Sequence, residues 1–185
     1  MLRPPLPRLA ALLAALALAC SRHDPADPQL CSVHVAGVRV DPGSSTPIVD
    51  LVEEGGGRRS LSIAVGDFEA DSIARAIEHQ PVVRPNPHDL LKALLDTIDG
   101  HVRRTVVTEL RQGTYFAVID VELRGRTVSV DARPSDAIAI ALRAGAPVLV
   151  RDSLLRAGPE PDDGGAVEID LRAQRRHERR GGSRL

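Results

Sequence analysis

The chain has 185 residues, and its 24 lysines and arginines nearly balance 25 aspartates and glutamates, for a formal net charge of −1. This length suits one domain of ordinary size. The charge balance excludes the strongly basic character of a tight nucleic-acid binder. The three aromatic residues (one tyrosine and two phenylalanines) are too few for extensive base stacking.

Residues 1–19 are predicted to be a signal peptide. Arg3 and Arg8 flank the start of an apolar run of 11 residues, Leu9–Ala19, which is too short to span a bilayer as a mature helix. The run ends before Cys20 in a sequence that resembles a bacterial lipoprotein cleavage site. We therefore expect export, with a lipid on Cys20 that anchors the chain in the bacterial cell envelope on the periplasmic side. An ordinary signal peptide cut near Ala19 is the alternative.

Residues 20–31 are predicted to be a polar, proline-containing tether. If Cys20 carries a lipid, Cys31 is an odd thiol and no internal disulfide supports the fold. If Cys20 is not lipidated, a Cys20–Cys31 disulfide can form in an oxidising compartment.

The predicted domain, residues 32–155, opens with three strands and a helix. Val33–Val40 alternates as a strand does, Ile48–Val52 follows a turn, and Leu61–Val65 follows three consecutive glycines. The helix is predicted over Glu69–Glu78.

A leucine-rich helix comes next. Asn86 is a favourable N-cap, Pro87 suits the first helical position, and Asp89 lies in the first turn. The leucines and the isoleucine between Leu90 and Ile98 form one apolar face, and Gly100 is expected to end the helix.

The second half of the domain repeats the pattern of the first. Its predicted strands are Val102–Leu110, Thr114–Leu123 and Thr127–Ala132. A shift of 65 residues places Asp71 on Asp136 and Ala74 on Ala139, which suggests an internal duplication of three strands and a helix. The pattern predicts an α+β domain with a mixed or antiparallel sheet and packed helices. Small aliphatic helix faces would also suit a homo-oligomer.

Residues 128–150, VSVDARPSDAIAIALRAGAPVLV, combine a strand, a turn, a helix and a strand. Val128 and Val130 alternate with polar neighbours, as in a half-buried strand. Ser135 is predicted to cap the helix, Gly145 to end it and Pro147 to open the next strand.

This segment resembles the signature of the bifunctional nuclease domain family. The sequences VGDFEADSIARAIE (residues 65–78), RPNPHDLLKALLDTIDG (84–100) and TYFAVIDVEL (114–123) are similar to further parts of that family's pattern, in the same order. The resemblance covers about residues 33–155. It implies the family's fold and a nuclease that acts on both DNA and RNA.

Phosphodiester hydrolysis needs an activated water and positive charge on the phosphate. The candidate catalytic residues are Glu69, His88, Asp131 and Asp136, and the candidate substrate-binding residues are Arg133 and Tyr115. The resemblance supports Glu69, since the family pattern also has a glutamate there. Glu69 and Asp131 are also candidate ligands of a divalent metal such as Mg²⁺ or Mn²⁺.

These residues also have purely structural interpretations. Acidic residues stabilise helix N-termini, and His88 fits a surface histidine without a role. Arg133 fits a clamp on Asp131 or Asp136, and Tyr115 fits a buried tyrosine at a sheet edge.

The predicted function is a non-specific nuclease with weak affinity for nucleic acid. Ser32 to Leu155 contains 14 basic and 17 acidic residues, a net of −3, which argues against a tight or sequence-specific binder. No HExxH, paired CxxC, Walker, GxSxG or GxGxxG motif supports a zinc protease, a nucleotide-cofactor enzyme or a serine hydrolase. A non-catalytic binding or assembly module that keeps the fold is the alternative.

Residues 156–185 are predicted to form a disordered, arginine-rich tail. Arg172–Leu185 contains six arginines and one glutamate, and such blocks often bind anionic lipid or nucleic acid. A solvated tail without a partner is the alternative.

Overall fold

The computed structural model describes residues 29–56, 58–81 and 83–157, which form an α+β domain of eight strands and three α-helices. The strands are β1 (Leu30–Val40), β2 (Pro47–Glu53), β3 (Arg59–Ala64), β4 (Gly100–Arg111), β5 (Thr114–Leu123), β6 (Arg126–Ala132), β7 (Val148–Arg151) and β8 (Arg156–Ala157). The helices are α1 (Asp67–Ile77), α2 (Pro87–Thr97) and α3 (Pro134–Ala144). The predicted fold class is confirmed.

The described strands form a single mixed sheet in the order β6-β5-β4-β7-β1-β2-β3-β8. Strands β1 to β3 form an antiparallel meander that leads into α1, and β4 to β6 form a second meander that leads into α3. This arrangement is the repeated unit that the sequence suggested. Strand β7 joins the two meanders, because it pairs parallel with β4 and antiparallel with β1.

The core lies between one face of the sheet and the helices. Helix α3 contacts β4 and β5, α1 contacts β1 and β2, and both α1 and α2 pack against α3. Ile73 of α1 and Ile138 and Ile140 of α3 are fully buried. Small residues such as Ala137 and Ala141, which are also buried, let α3 approach the sheet closely.

Two apolar faces that the sequence predicted, one on α2 and one on β6, are largely exposed. Leu90, Leu94 and Ile98 of α2 are 54%, 54% and 52% exposed, and Val128 and Val130 of β6 are 51% and 48% exposed. Strand β6 is an edge strand, and no described helix is among its main packing partners. The alternation of apolar and polar residues therefore predicted the strand correctly, but its valine side chains are more exposed than this pattern predicted.

Two helix ends also differ from the prediction. The N-cap of α3 is Arg133, not Ser135, because Pro134 takes the first helical position that its ring favours. Helix α2 ends at Thr97, and Gly100 is the first residue of β4. The chain reverses instead at Asp99, which has a φ of 55°.

The signal peptide, Cys20 and nearly all of the arginine-rich tail lie outside the described residues, so those predictions stay predictions. The sheet itself extends from Leu30 to Ala157. Among the helices of the described part, none has the length and apolar character needed to cross a membrane.

Gly145 ends α3 in the left-handed conformation, with φ of 62°, as the sequence predicted. We expect Gly145→Ala to lower the free energy of unfolding by about 1 kcal/mol, since a Cβ disfavours this conformation. Urea denaturation measures the change. Gly145→Asn is the control and should cost less, because asparagine tolerates positive φ better; equal costs for the two variants would contradict this account.

Candidate active site

Helices α1 and α3 begin at the same cleft, which has a volume of about 400 Å³. The chain after β3 contributes Val65 and Gly66, β5 contributes Tyr115, and the start of α3 contributes Arg133 and Ser135. Gly66 and Arg133 are the N-caps of the two helices, and neither makes a side-chain capping hydrogen bond. The duplicated strand-to-helix turns thus bring two helix N-termini together.

Arg133 links α1 and α3 through one carboxylate in the first turn of each helix. Its Nη2 donates to Oε1 of Glu69 at 2.7 Å, and its Nε donates to Oδ2 of Asp136 at 2.8 Å. The hydrogen bonds to Asp136 and Glu69 raise the pKa of the guanidinium. Arg133 is therefore the clamp on Asp136 that the sequence allowed, and it also clamps Glu69.

Gly66 makes room for the carboxylate of Glu69. A Cβ placed on Gly66 would collide with Oε2 of Glu69, although the φ of Gly66 is an ordinary −73°. Any larger residue at this position would therefore force the end of the flexible Glu69 side chain to move. The Glu69 side chain folds back over the first turn of α1, where its Oε1 meets Arg133.

His88 connects α2 to both of the other helices. Its Nδ1 lies 2.9 Å from Oγ of Ser72 in α1, and its Nε2 lies 3.1 Å from Oδ1 of Asp136 in α3. The His88 side chain is 12% exposed. The structure thus brings Glu69, Arg133, Asp136 and His88 into one hydrogen-bonded chain.

The partners of Ser72 determine which nitrogen of His88 carries a proton. Asn86 Nδ2 donates to Ser72 Oγ at 3.1 Å, and Arg143 Nη2 donates to it at 2.9 Å. These two donors occupy both lone pairs of the hydroxyl, so its own hydrogen points to Nδ1 of His88. Nε2 then carries the imidazole hydrogen and donates it to Asp136. Both ring nitrogens of His88 are engaged.

Asp89 completes the network on the far side of Ser72. Its Oδ2 accepts from the backbone N–H of Asn86 in a capping box, and its Oδ1 accepts from Nε of Arg143 at 2.6 Å. Burial acts to raise the pKa of Asp89, but the hydrogen bonds from Arg143 and Asn86 outweigh it and lower the pKa. The capping role predicted for Asp89 is present in the structure.

Ser72 and Arg143 were missed by the sequence analysis. Ser72 is 4% exposed, and the shift of 65 residues aligns it with Ala137, which is 1% exposed. A polar residue at the position of a core alanine was the available signal. The sequence held no such signal for Arg143, because its partner Ser72 is 71 residues away in the sequence.

The two remaining candidates, Tyr115 and Asp131, lie at two different places in the structure. Tyr115 is half-buried and lines the cleft. Asp131 pairs with Val118, while its neighbour Val130 pairs with Ile119 of the core. Since side chains alternate along a strand, Asp131 points to the face of the sheet opposite the helices, and the network does not include it.

The candidate metal ligands do not form a metal site. Glu69 is bound to Arg133, and Asp131 lies on the opposite face of the sheet. In the part of the chain that the structure describes, no three His, Cys, Asp or Glu side chains are grouped so that they could hold a metal ion.

The network should stabilise the fold in a pH-dependent way. Burial acts to raise the pKa of Asp136, but hydrogen bonds from Arg133 and His88 outweigh it and lower the pKa below the ordinary 3.8. A carboxylate with a lowered folded-state pKa stabilises the fold fully above its unfolded-state pKa, and this contribution is lost as the pH falls through the folded-state value.

We expect Asp136→Asn to lower the free energy of unfolding at pH 7 by about 1.5–3 kcal/mol, typical of hydrogen bonds to a charged group. The difference from the wild type should shrink as the pH falls below about 4. Urea titrations at several pH values measure both effects. Asp96→Asn is the matched control, because Asp96 is 55% exposed and pairs only with Lys92 on the surface of α2. A difference for Asp136→Asn that stays constant down to pH 2 would contradict the prediction.

Comparison with known proteins agrees with the family suggested by the sequence. A sequence model of the bifunctional nuclease domain matches residues 49–161, more than half of the chain. An uncharacterized protein of Mycobacterium tuberculosis is 37% identical over 125 residues, which cover 66% of this chain and 73% of that protein.

Two plant proteins are also similar. Bifunctional nuclease 1 of Arabidopsis thaliana is 32% identical over 111 residues, which cover 58% of this chain and 34% of that protein. Bifunctional nuclease 2 of Oryza sativa subsp. japonica is 27% identical over 121 residues, which cover 64% of this chain and 37% of that protein. The match spans about a third of each plant protein. Given the domain match, the chain belongs to the bifunctional nuclease domain family.

Proposed function

We propose that this protein is a nuclease that hydrolyses phosphodiester bonds of DNA or RNA without sequence preference. The observation that carries the proposal is the presentation of Arg133 at the cleft. Its side chain is 65% exposed although two carboxylates hold its Nε and Nη2. Its Nη1 makes no hydrogen bond within the described residues, so this nitrogen is available to a phosphate oxygen.

The helix N-termini support the same role for the cleft. The first N–H groups of α1 and α3 have no side-chain cap from Gly66 or Arg133. Such groups and the helix dipoles favour an anion. We infer that a phosphate in the cleft binds Arg133 together with the backbone at one or both helix starts.

Glu69 is the proposed general base. Its Oε1 is bound to Arg133, whereas Oε2 makes no hydrogen bond within the described residues. Oε2 removes a proton from a water molecule, whose oxygen attacks the phosphorus. The bond to the leaving sugar oxygen breaks, and that oxygen takes a proton from solvent. Arg133 stabilises the negative charge that develops on the phosphate oxygens.

His88 is a positioning residue in this scheme. Both of its ring nitrogens are engaged by Ser72 and Asp136, so it holds Asp136 in place and presents no free ring nitrogen to a water molecule. Asp136 in turn orients the guanidinium of Arg133.

The charge balance of the site explains a weak and non-specific mode of binding. Two carboxylates, Glu69 and Asp136, outnumber the guanidinium of Arg133. Affinity for the nucleic-acid backbone comes mainly from phosphate neutralisation. The same balance is the observation that favours the second candidate function, a non-catalytic module that keeps the fold.

We expect Arg133→Ala and Glu69→Gln each to lower the rate of cleavage of labelled single-stranded DNA and RNA by about 100-fold, a typical loss for one oxyanion donor or one general base. Arg133→Lys should recover only part of the rate, because lysine lacks the fork that binds two carboxylates. The assay is run with Mg²⁺, Mn²⁺ or EDTA, which also tests the predicted divalent metal.

Arg103→Ala is the matched control, since Arg103 pairs with Glu122 at 3.4 Å on an exposed surface away from the cleft. It should leave the rate unchanged. Absence of cleavage by the wild-type chain above a mock purification would contradict the nuclease proposal and support the non-catalytic module. Cleavage that survives in both Arg133→Ala and Glu69→Gln would place the chemistry elsewhere.

Gly66→Ala tests the position of Glu69 without removing a polar group. The new Cβ should displace the Glu69 carboxylate from Arg133, so we expect at least about a tenfold lower rate, since general-base catalysis depends on position. Gly37→Ala is the control, because its new Cβ has no atom within 4 Å. An unchanged rate in folded Gly66→Ala protein would contradict the assigned role of Glu69.

A further inference from the structure

We propose that the protein forms a twofold-symmetric homodimer in which the two copies of strand β6 pair antiparallel and make one continuous sheet. The proposal rests on the edge of the sheet and on the apolar side chains next to it. It is independent of the proposed nuclease activity.

The edge formed by β6 is long and regular. It has seven residues, without proline, lysine or a register shift in its pairing with β5. Within the described residues, the opposite edge of the sheet is β8. An exposed, regular edge strand presents unpaired backbone groups to another strand, and proteins usually block such edges with bulges, prolines or charges. Strand β6 has no proline or bulge, and its charges are limited to Arg126 and Asp131, near its two ends.

The helix-side face of β6 is apolar and only half covered. Val128 pairs with Val121 and Val130 pairs with Ile119, and both partners belong to the buried core. Cross-strand partners share a face, so the two valines continue the core beyond its covered part.

Helix α2 adds further apolar surface. Ile98 lines a cavity of about 580 Å³ together with Arg124 and Gly125 of the β5–β6 turn, so the end of α2 and the start of β6 are neighbours. The exposed large apolar residues of α2 and β6 are Leu90, Leu91, Leu94, Ile98, Val128 and Val130. Contiguous exposed apolar surface marks an interaction site, and Val128 and Val130, which share one face of β6, form such a surface directly beside the open edge.

The sequence of β6 suits a second copy of itself. Full overlap of two antiparallel Arg126–Ala132 strands places the twofold axis at Ser129. Val128 then lies opposite the partner's Val130, and Thr127 lies opposite the partner's Asp131. Each arginine at position 126 lies opposite an alanine, so no like charges oppose each other. All four valines share the helix side, which is the self-complementary pattern of a twofold interface.

Disulfide trapping of the full chain in the expressing cells tests this arrangement. In a Cys31→Ser background, Ser129→Cys places two thiols at the twofold axis, and mild oxidation with copper phenanthroline should convert most of the chain to a species of twice the mass of the reduced chain. Thr127→Cys should cross-link at least tenfold less, because the two Cα atoms at position 127 would be ~13 Å apart, well beyond the ~7 Å limit for a disulfide. The Cys31→Ser chain alone reports any background from Cys20.

Two lysine substitutions test the apolar contact. Val128→Lys with Val130→Lys should lower cross-linking through Ser129→Cys at least tenfold, and the half-exposed positions should tolerate the change, which circular dichroism verifies. Val83→Lys is the matched control, since Val83 is 99% exposed and lies outside this surface. A monomeric Ser129→Cys chain, equal cross-linking through position 127, or full cross-linking in the folded double-lysine variant would overturn the proposal. The first result would indicate that another segment or partner covers β6.

Discussion

The bridge made by Arg133 between Glu69 and Asp136 is the interaction on which the rest of the site depends. It joins the N-termini of α1 and α3, where two helix dipoles point their positive ends into one cleft. Without the two carboxylates, these ends and the guanidinium would repel one another. The network continues through His88 to Ser72, so the position of α2 depends on the same charges.

The network serves stability and chemistry with the same groups. Arg143 and Asp89 have side chains only 10% and 22% exposed, and removal of one partner from such a pair costs about 3–5 kcal/mol. His88 is held by hydrogen bonds on both sides, which fixes the orientation of its ring. In contrast, Glu69 keeps one oxygen without a partner in the described part of the chain, and Arg133 keeps one nitrogen. These unused atoms on two side chains that contact each other are the reason why we propose Glu69 and Arg133 for the chemistry.

The elements that local rules determine were predicted well. The bounds of β5, the N-cap of α2 and the glycine end of α3 were all predicted from the sequence, because each depends on a few consecutive residues. The burial of individual side chains was harder to predict, because the exposure of a residue such as Val128 depends on where the helices lie over the sheet. At the site, the sequence identified Glu69, His88 and Arg133 as candidates. The sequence could not distinguish Asp136, which binds both Arg133 and His88, from Asp131, whose side chain points to the other face of the sheet. Strand alternation shows which face Asp131 occupies only when the register of the strand pairing is known.

Strand β7 has a consequence for the order of events during biosynthesis. Its four residues are the bridge between the two meanders, since β4 and β1 lie on either side of it. Because β7 follows α3 in the chain, a nascent polypeptide holds two separate half-sheets with open flanks until Val148–Arg151 has emerged. Closure of the domain is therefore a late, non-local event, of the kind that slows folding and favours assistance by chaperones.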